Sequence, residues 1–198
     1  MSLDMFGQSG VMISTSGSTE DQPGQVGPAS YLATIDGGHT WNTRRLVPDA
    51  GLLHGASFAD PSHGWVLEDA GGSNPSPALL ATTDAGRHWT PLGALASTMA
   101  RSLGWTGVQL LDPTTGWVWA EVQNRPKVQP PTHLVLLGTA NGAKTWHRYD
   151  LPSEVGGLDS QGPPLPPQVF FSGPDRGWVL SVAGLWRTTD GGLTWTAP

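Results

Sequence analysis

The stretch TTDGGLTW, Thr188 to Trp195, decides how this chain is read, because it recurs. TIDGGHTW runs from Thr34 to Trp41, TTDAGRHW from Thr82 to Trp89, and TANGAKTW from Thr139 to Trp146. The closing tryptophans lie about 50 residues apart, near the blade length of several propeller families. A second element recurs out of phase with the first: FADPSHGWVL from Phe58, LLDPTTGWVWA from Leu110 and FFSGPDRGWVL from Phe170, with a faded copy, LDMFGQSGVMI, from Leu3. In the faded copy Val11 stands where the others have tryptophan. Each copy reads as a short apolar strand, a polar turn and a Gly-Trp-Val strand.

The repeating unit is therefore strand, tight turn, Gly-Trp-Val strand, variable loop, Thr-rich strand, Asp-Gly turn, Trp strand. Four strands per unit and four units predict an all-β chain: a β-propeller of four-stranded antiparallel blades, at about 1–48, 49–94, 95–152 and 153–198, forming a single domain. Glycine (27) and proline (18) are abundant and charged residues scarce (13%), a composition that suits disorder. Ten tryptophans, seven of them at repeat positions, supply a core instead.

Other classes fall away on composition. A net charge of −6 argues against nucleic-acid binding, which needs clustered Lys and Arg. No apolar run reaches membrane-helix length, and MSLDMFGQSG lacks the basic start and long apolar region of a signal peptide. With no cysteine there are no disulfides and no thiolate metal sites. The six histidines show no zinc spacing, and DGGHT and DGGLT lack the alternating carboxylates of a calcium loop, so no metal or other cofactor is expected.

The Asp-Gly element is expected to be structural. A short Asp side chain accepts backbone N–H groups near it, and glycine supplies the positive φ that such a turn needs. Asn141 in the third copy keeps the acceptor and loses the charge, which a catalytic carboxylate would not tolerate. The Gly-Trp-Val tryptophans are expected to pack between blades.

These boxes resemble the Asp-box, or bacterial neuraminidase repeat, Ser/Thr-x-Asp-x-Gly-x-Thr-Trp. With the D-P-x-x-G-W-V hairpin added, the chain is most similar to the propellers of the photosystem II stability/assembly factor family, over essentially its whole length. The resemblance is specific for fold. Asp-box propellers include sialidases, endoglucanases, sortilin-like receptors and non-enzymatic assembly factors, so function does not follow from it. It implies an exported or cell-envelope protein. His88 and Ala143 depart from the pattern, and the first unit lacks the Gly-Trp pair.

In a four-stranded blade the first hairpin and the Asp-Gly turn share one face. The long irregular connections (14–30, 68–78, 93–107, 121–133, 150–167) share the other, where a site is expected because loops carry function on a rigid scaffold. There Arg101, Trp105 and Arg125 are contact candidates for a protein or glycan partner, since Trp and Arg dominate interface energetics. The preferred reading is a non-enzymatic binding or assembly scaffold. The rival is a glycoside hydrolase with its carboxylates among Glu68, Asp69 and Glu121, each just after a Gly-Trp-Val strand, where a solvated strand end is the plainer reading. A sialidase would also need an arginine cluster and a Tyr–Glu pair. Only Tyr31 and Tyr149 exist, one on a box strand and one at the start of a blade link, and the Arg-Ile-Pro signature is absent. An open propeller end would expose Trp-rich faces, so the chain is expected to form part of a larger ring. Closure by packing alone and self-association with a second copy are the alternatives.

Overall fold

The computed structural model describes residues 2–15, 29–45, 50–70, 76–92, 95, 102–123, 132–152, 155, 167–181 and 183–198. These residues form four antiparallel sheets, each following chain order. The first contains β1 (Ser2–Phe6), β2 (Ser9–Thr15), β3 (Ala29–Thr34) and β4 (Asn42–Arg45); the second contains β5 (Ala50–Phe58), β6 (Gly64–Ala70), β7 (Ser76–Thr82) and β8 (Thr90–Leu92). The third contains β9 (Ser102–Leu110), β10 (Gly116–Gln123), β11 (Thr132–Thr139) and β12 (His147–Asp150), and the fourth β13 (Gln168–Phe171), β14 (Gly177–Ser181) and β15 (Gly184–Thr188). An isolated bridge between Arg187 and Thr196 stands in the fourth-strand position of the last sheet. Such meander sheets are the blades of a β-propeller. The chain divides into two compact units, Met1–Ala96 and Ser97–Pro198, with two blades in each.

The two units are built alike. In the first, Val11, Ile13 and Tyr31 of blade one pack with Ala56, Phe58 and Val66 of blade two. In the second, Trp117, Trp119, Leu134 and Leu136 of blade three pack with Val169, Phe171, Val179 and Trp195 of blade four. Burying side chains of this size yields about 1.5–3 kcal/mol each, which makes the interblade layer the main source of cohesion in each unit.

The glycine of Gly-Trp-Val has a steric cause. A Cβ on Gly64 would stand 2.2 Å from the Phe58 ring, and one on Gly177 would stand 2.7 Å from the Phe171 ring. Phe58 pairs with Gly64 and Phe171 with Gly177 across the first hairpin, so the ring lies over a residue with no side chain. Met5 pairs with Gly10 in the same way. Met5, Phe58, Leu110 and Phe171 are therefore equivalent, and so are Val11, Trp65, Trp117 and Trp178.

Polar groups bridge the blades as well. The Asp4 carboxylate accepts the Phe58 N–H at 3.1 Å. In the second unit Gln109, at the equivalent position, accepts the Phe171 N–H at 2.7 Å and donates to the Phe171 carbonyl at 2.8 Å.

Three expectations need correction. The segment 93–107 is read from sequence as a loop, yet β9 begins at Ser102, and Trp105 pairs with Ala120 within it. Register shifts at Trp119/Ala120 and Glu121/Val122 let the glycine-rich strand continue through bulges. Tyr149 lies in the fourth strand β12, half-buried against the core, and Leu151 and Val155 beyond it are buried too. Among the Gly-Trp-Val tryptophans, Trp65 and Trp117 are buried, but Trp178 is exposed.

Candidate functional site

The Thr-x-Asp turns repeat one hydrogen-bond scheme. Thr34 Oγ1 donates to Asp36 at 2.7 Å and accepts the Gly38 N–H at 3.0 Å, while Asp36 Oδ1 accepts the Thr40 N–H at 2.9 Å and Oδ2 the Thr40 hydroxyl at 2.6 Å. Asp190 repeats this with Thr188 and Thr194. Asp84 uses His88, whose Nδ1 lies 2.6 Å from Oδ2 where the other turns have a threonine hydroxyl. Asn141 keeps the acceptor role toward the Thr145 N–H and turns its amide donor onto the Thr145 hydroxyl at 2.7 Å. The carboxylate is thus replaceable by an amide within one chain.

These bonds fix the charge state of the turns. The Thr40 hydroxyl and N–H hold Asp36 well below the usual carboxylate range, and the His88 N–H and ring do the same for Asp84. For Asp190 the Thr194 hydroxyl and N–H bring the pKa down to about 2. A general acid needs the opposite shift. Asp60 and Asp112, in the first hairpins, accept backbone N–H groups of Ser62 and His63 and of Thr114 and Thr115, all within 3.0 Å.

The two kinds of turn lie together, as the strand order predicts. Gly37 N–H donates to the Gln8 carbonyl, Ala85 to Ser62, Gly142 to Thr114 and Gly191 to Asp175, at 2.8–3.1 Å. At this end the second unit holds a groove of about 600 Å³. Trp117, Trp146, His147 and Tyr149 of blade three line it together with Pro174, Asp175 and Asp190 of blade four. The His147 and Tyr149 rings are 4.7 Å apart. Burial, and secondarily the Asp190 charge, push the Tyr149 hydroxyl pKa up. The counterpart groove in the first unit, about 360 Å³, has Val11, Ala33 and Asn42 where the larger one has Trp117, Gly138 and His147. Both volumes suit ligand sites.

The sequence expectation puts a site on the long-connection face. Most of the long connections lie outside the described residues, and the two cavities above open beside the turns. The available signal was His147 and Tyr149 alternating after Trp146, which places both on one face of a strand; reading Tyr149 as the start of a link hides it. Arg101 and Arg125 lie outside the described residues. Asp69, Trp105 and Glu121 have described strand backbones, but their side chains lie outside the described set. Glu68 is buried, 6% exposed, and is not the solvated strand end expected of it, because its position on β6 faces inward with Val66. Among the described residues no three His, Asp or Glu side chains gather as a metal site. No helix there is long and apolar enough to cross a membrane.

No protein-family model matches the sequence, and no curated protein does. Solved structures do match. Sialidase from Trypanosoma rangeli superposes with a TM-score of 0.59 over 96% of this chain and 35% of its own, at 11% identity. A GH74 xyloglucanase from Xanthomonas campestris gives 0.50 over 89% and 27%, at 14% identity. YCF48 bound to D1 peptide gives 0.46 over 77% and 41%, at 24% identity. The chain spans less than half the length of each of these three. The likeness to sialidase and the xyloglucanase is one of fold.

Proposed function

We propose that this chain is a non-enzymatic binding scaffold, an Asp-box propeller that docks a protein or glycan partner. One observation carries the reading: the box aspartates Asp36, Asp84 and Asp190 have both carboxylate oxygens engaged by their own loops and are held ionised, while the larger groove is walled by aromatic rings. Rigid aromatic walls with a few polar groups suit recognition. Hydrolysis of a glycoside needs two carboxylates facing each other across the bond, one of them able to stay protonated. Arg101, Trp105 and Arg125 are proposed as further contacts, and the protein is proposed to act outside the cytoplasm or in the cell envelope.

The test is a peptide and glycan array probed with the whole chain, followed by Tyr149→Ala, Trp146→Ala, Arg101→Ala, Trp105→Ala and Arg125→Ala. Binding without turnover, weakened at least tenfold by one or more of these, supports the scaffold. Hydrolysis of any arrayed glycan that is lost in two of Glu68→Gln, Asp69→Asn and Glu121→Gln replaces it with the hydrolase. Export is checked by fractionating the native host.

A further inference from the structure

The two grooves beside the turns occupy equivalent places in their units and differ in chemistry. No charged residue lines the smaller one. The larger one has Asp175 and Asp190 in its wall, and neither lysine nor arginine. The guanidinium next to it along β12 is spent elsewhere: Arg148 meets Asp150 at 2.7 Å. The floor is opened by Gly138, which stands where the first unit has Ala33. A Cβ there would lie 3.1 Å from the Trp117 ring and 3.1 Å from the Tyr149 ring. Both walls belong to one compact unit.

Asp175 has no part in its own turn that accounts for it. Asp60 and Asp112 cap the first hairpins of blades two and three. Counting back from the glycine of Gly-Trp-Val, that position in blade four is Gly173, and Asp175 stands where the others have Ser62 and Thr114. Ser62, Thr114 and Asp175 each accept a box N–H on the backbone carbonyl, a bond in which the side chain takes no part. Asp175 is exposed, and among the described residues no hydrogen bond or ion pair engages its carboxylate. Asp190, on the adjoining turn, adds a second negative charge. That charge is felt inside the groove, where after burial it is the second cause of the raised Tyr149 pKa.

The donors of the wall point the same way. The Thr139 hydroxyl donates to Asn141 at 3.0 Å, and the Asn141 amide donates to Thr145 at 2.7 Å, so these donors are used within the turn. A neutral sugar brings hydroxyls that both donate and accept. A wall with a free carboxylate, engaged donors and aromatic rings is matched better by a ligand that only donates and has flat faces. Guanidinium is such a group: planar, always charged, without an acceptor, and suited to stacking on aromatic rings. An ammonium is compact and strongly hydrated, and makes less of the rings.

We infer that the larger groove takes the arginine side chain of a partner protein, its guanidinium against Trp146 and Tyr149 and its donors turned to Asp175. A volume of about 600 Å³ leaves room for the residues on either side of that arginine. The chain's net charge of −6 attracts a basic segment from a distance. The inference rests on the scaffold reading above and narrows its partner from protein or glycan to a basic protein segment.

The probe is the peptide acetyl-Gly-Arg-Gly-amide, titrated at millimolar concentration into the isotope-labelled whole chain while the tryptophan indole N–H signals are followed by NMR. Saturable shifts of Trp117 and Trp146 are expected, with Trp41 and Trp65 of the first unit unmoved. Affinity should fall at least tenfold when citrulline, the neutral isostere, replaces arginine, and at least severalfold when lysine does. Asp175→Asn should weaken the arginine peptide at least tenfold with the rest of the spectrum unchanged, since that carboxylate holds nothing in the turn. Citrulline or lysine binding as well as arginine overturns the inference, as does an unaffected Asp175→Asn or a peptide that shifts neither Trp117 nor Trp146. The scaffold reading fails separately, by glycan hydrolysis on the array. An array ligand bound without turnover and indifferent to Asp175→Asn keeps the scaffold and removes the arginine site.

Discussion

Trp117 of β10 lies flat on Phe171 of β13, the ring centroids 3.8 Å apart and the planes 6° from parallel. Trp195 meets the same phenyl ring edge-on, at 6.2 Å and 81°. One ring thus joins a Gly-Trp-Val strand, a first strand and a box tryptophan. In the first unit Phe58 takes Trp89 edge-on at 6.2 Å and 85°, with Val11 in the place of Trp117. The box tryptophan and the first-strand aromatic therefore act as a pair inside one blade, and the preceding blade closes over them.

Removing that ring should be costly. Phe171→Ala is expected to destabilise the second unit by about 3–5 kcal/mol, the usual range for a buried phenylalanine. Urea denaturation followed by tryptophan fluorescence measures it. A loss below 1 kcal/mol, on the scale of surface substitutions, would show that the stacked layer is not what holds blades three and four together.

Asp4 and Gln109 do the same work with different electrical consequences. Burial raises the Asp4 pKa, and the Phe58 N–H and the Ser2 hydroxyl only partly offset it. A carboxyl with a raised folded pKa binds more protons folded than unfolded between its unfolded value and its folded one, so stability falls as pH rises through that window. Asp4→Asn keeps an acceptor for the Phe58 N–H and removes the charge, as Gln109 already does in the second unit. The variant is expected to melt a few degrees above wild type at pH 7 and level with it below pH 3.8, the unperturbed value. Thermal melts across that range decide it, and a variant less stable at pH 7 would contradict the account.

Asp190 carries the opposite sign. Its folded pKa of about 2 lies below the ordinary 3.8, so its contribution is complete above the ordinary value and disappears as pH falls toward 2. Asp190→Asn mimics Asn141, retaining one acceptor for the Thr194 N–H. It is expected to melt a few degrees lower than wild type at pH 7, with the two curves converging near pH 2. Asp190→Ala loses the acceptor as well and should stay lower throughout. Melts at pH 7, 4 and 2 test both variants, and a constant gap for Asp190→Asn would mean that the charge contributes nothing.

The repeat made the turns and the blade order legible, because each copy tests the others. Asn141 in the aspartate position is visible in the sequence, and the hydrogen bonds explain why it is tolerated. The strand lengths were harder. SLGWTGV, in β9, reads as a loop because of its glycines, but a Cβ on Gly107 would stand 2.3 Å from the Trp119 ring, so that glycine makes room inside a bulged strand. No local pattern announces such a contact, since its partner sits across the sheet. The groove was hidden for a similar reason. It is assembled from β12 and from two turns of the next blade, and only the fold brings Tyr149 near Asp190. The burial of Glu68 depends on which way β6 faces beyond its tryptophan, a matter that the variable loop after it obscures.

Backbone strain supplies a last prediction, and one with an internal control. Each box turn has two consecutive residues at positive φ, and three of these eight positions are informative: Ala85 at 61°, Ala143 at 65° and Gly191 at 74°. Ala85 and Gly191 are equivalent, each the first residue after the turn aspartate and each donating its N–H to the first hairpin of its own blade. A left-handed conformation costs an alanine roughly 1–2 kcal/mol that glycine avoids, while glycine gives up part of that gain through the greater freedom of its unfolded chain. Ala85→Gly is therefore expected to stabilise the first unit by about 0.5–1 kcal/mol. Gly191→Ala should cost more than the reverse change gains, because its new Cβ would also stand 3.1 Å from the Pro174 carbonyl oxygen. Chemical denaturation of both single variants measures the asymmetry. Equal and opposite changes would show that the turn conformation alone sets the balance, and a destabilised Ala85→Gly would show that the Ala85 methyl packs against something worth more than the strain it causes.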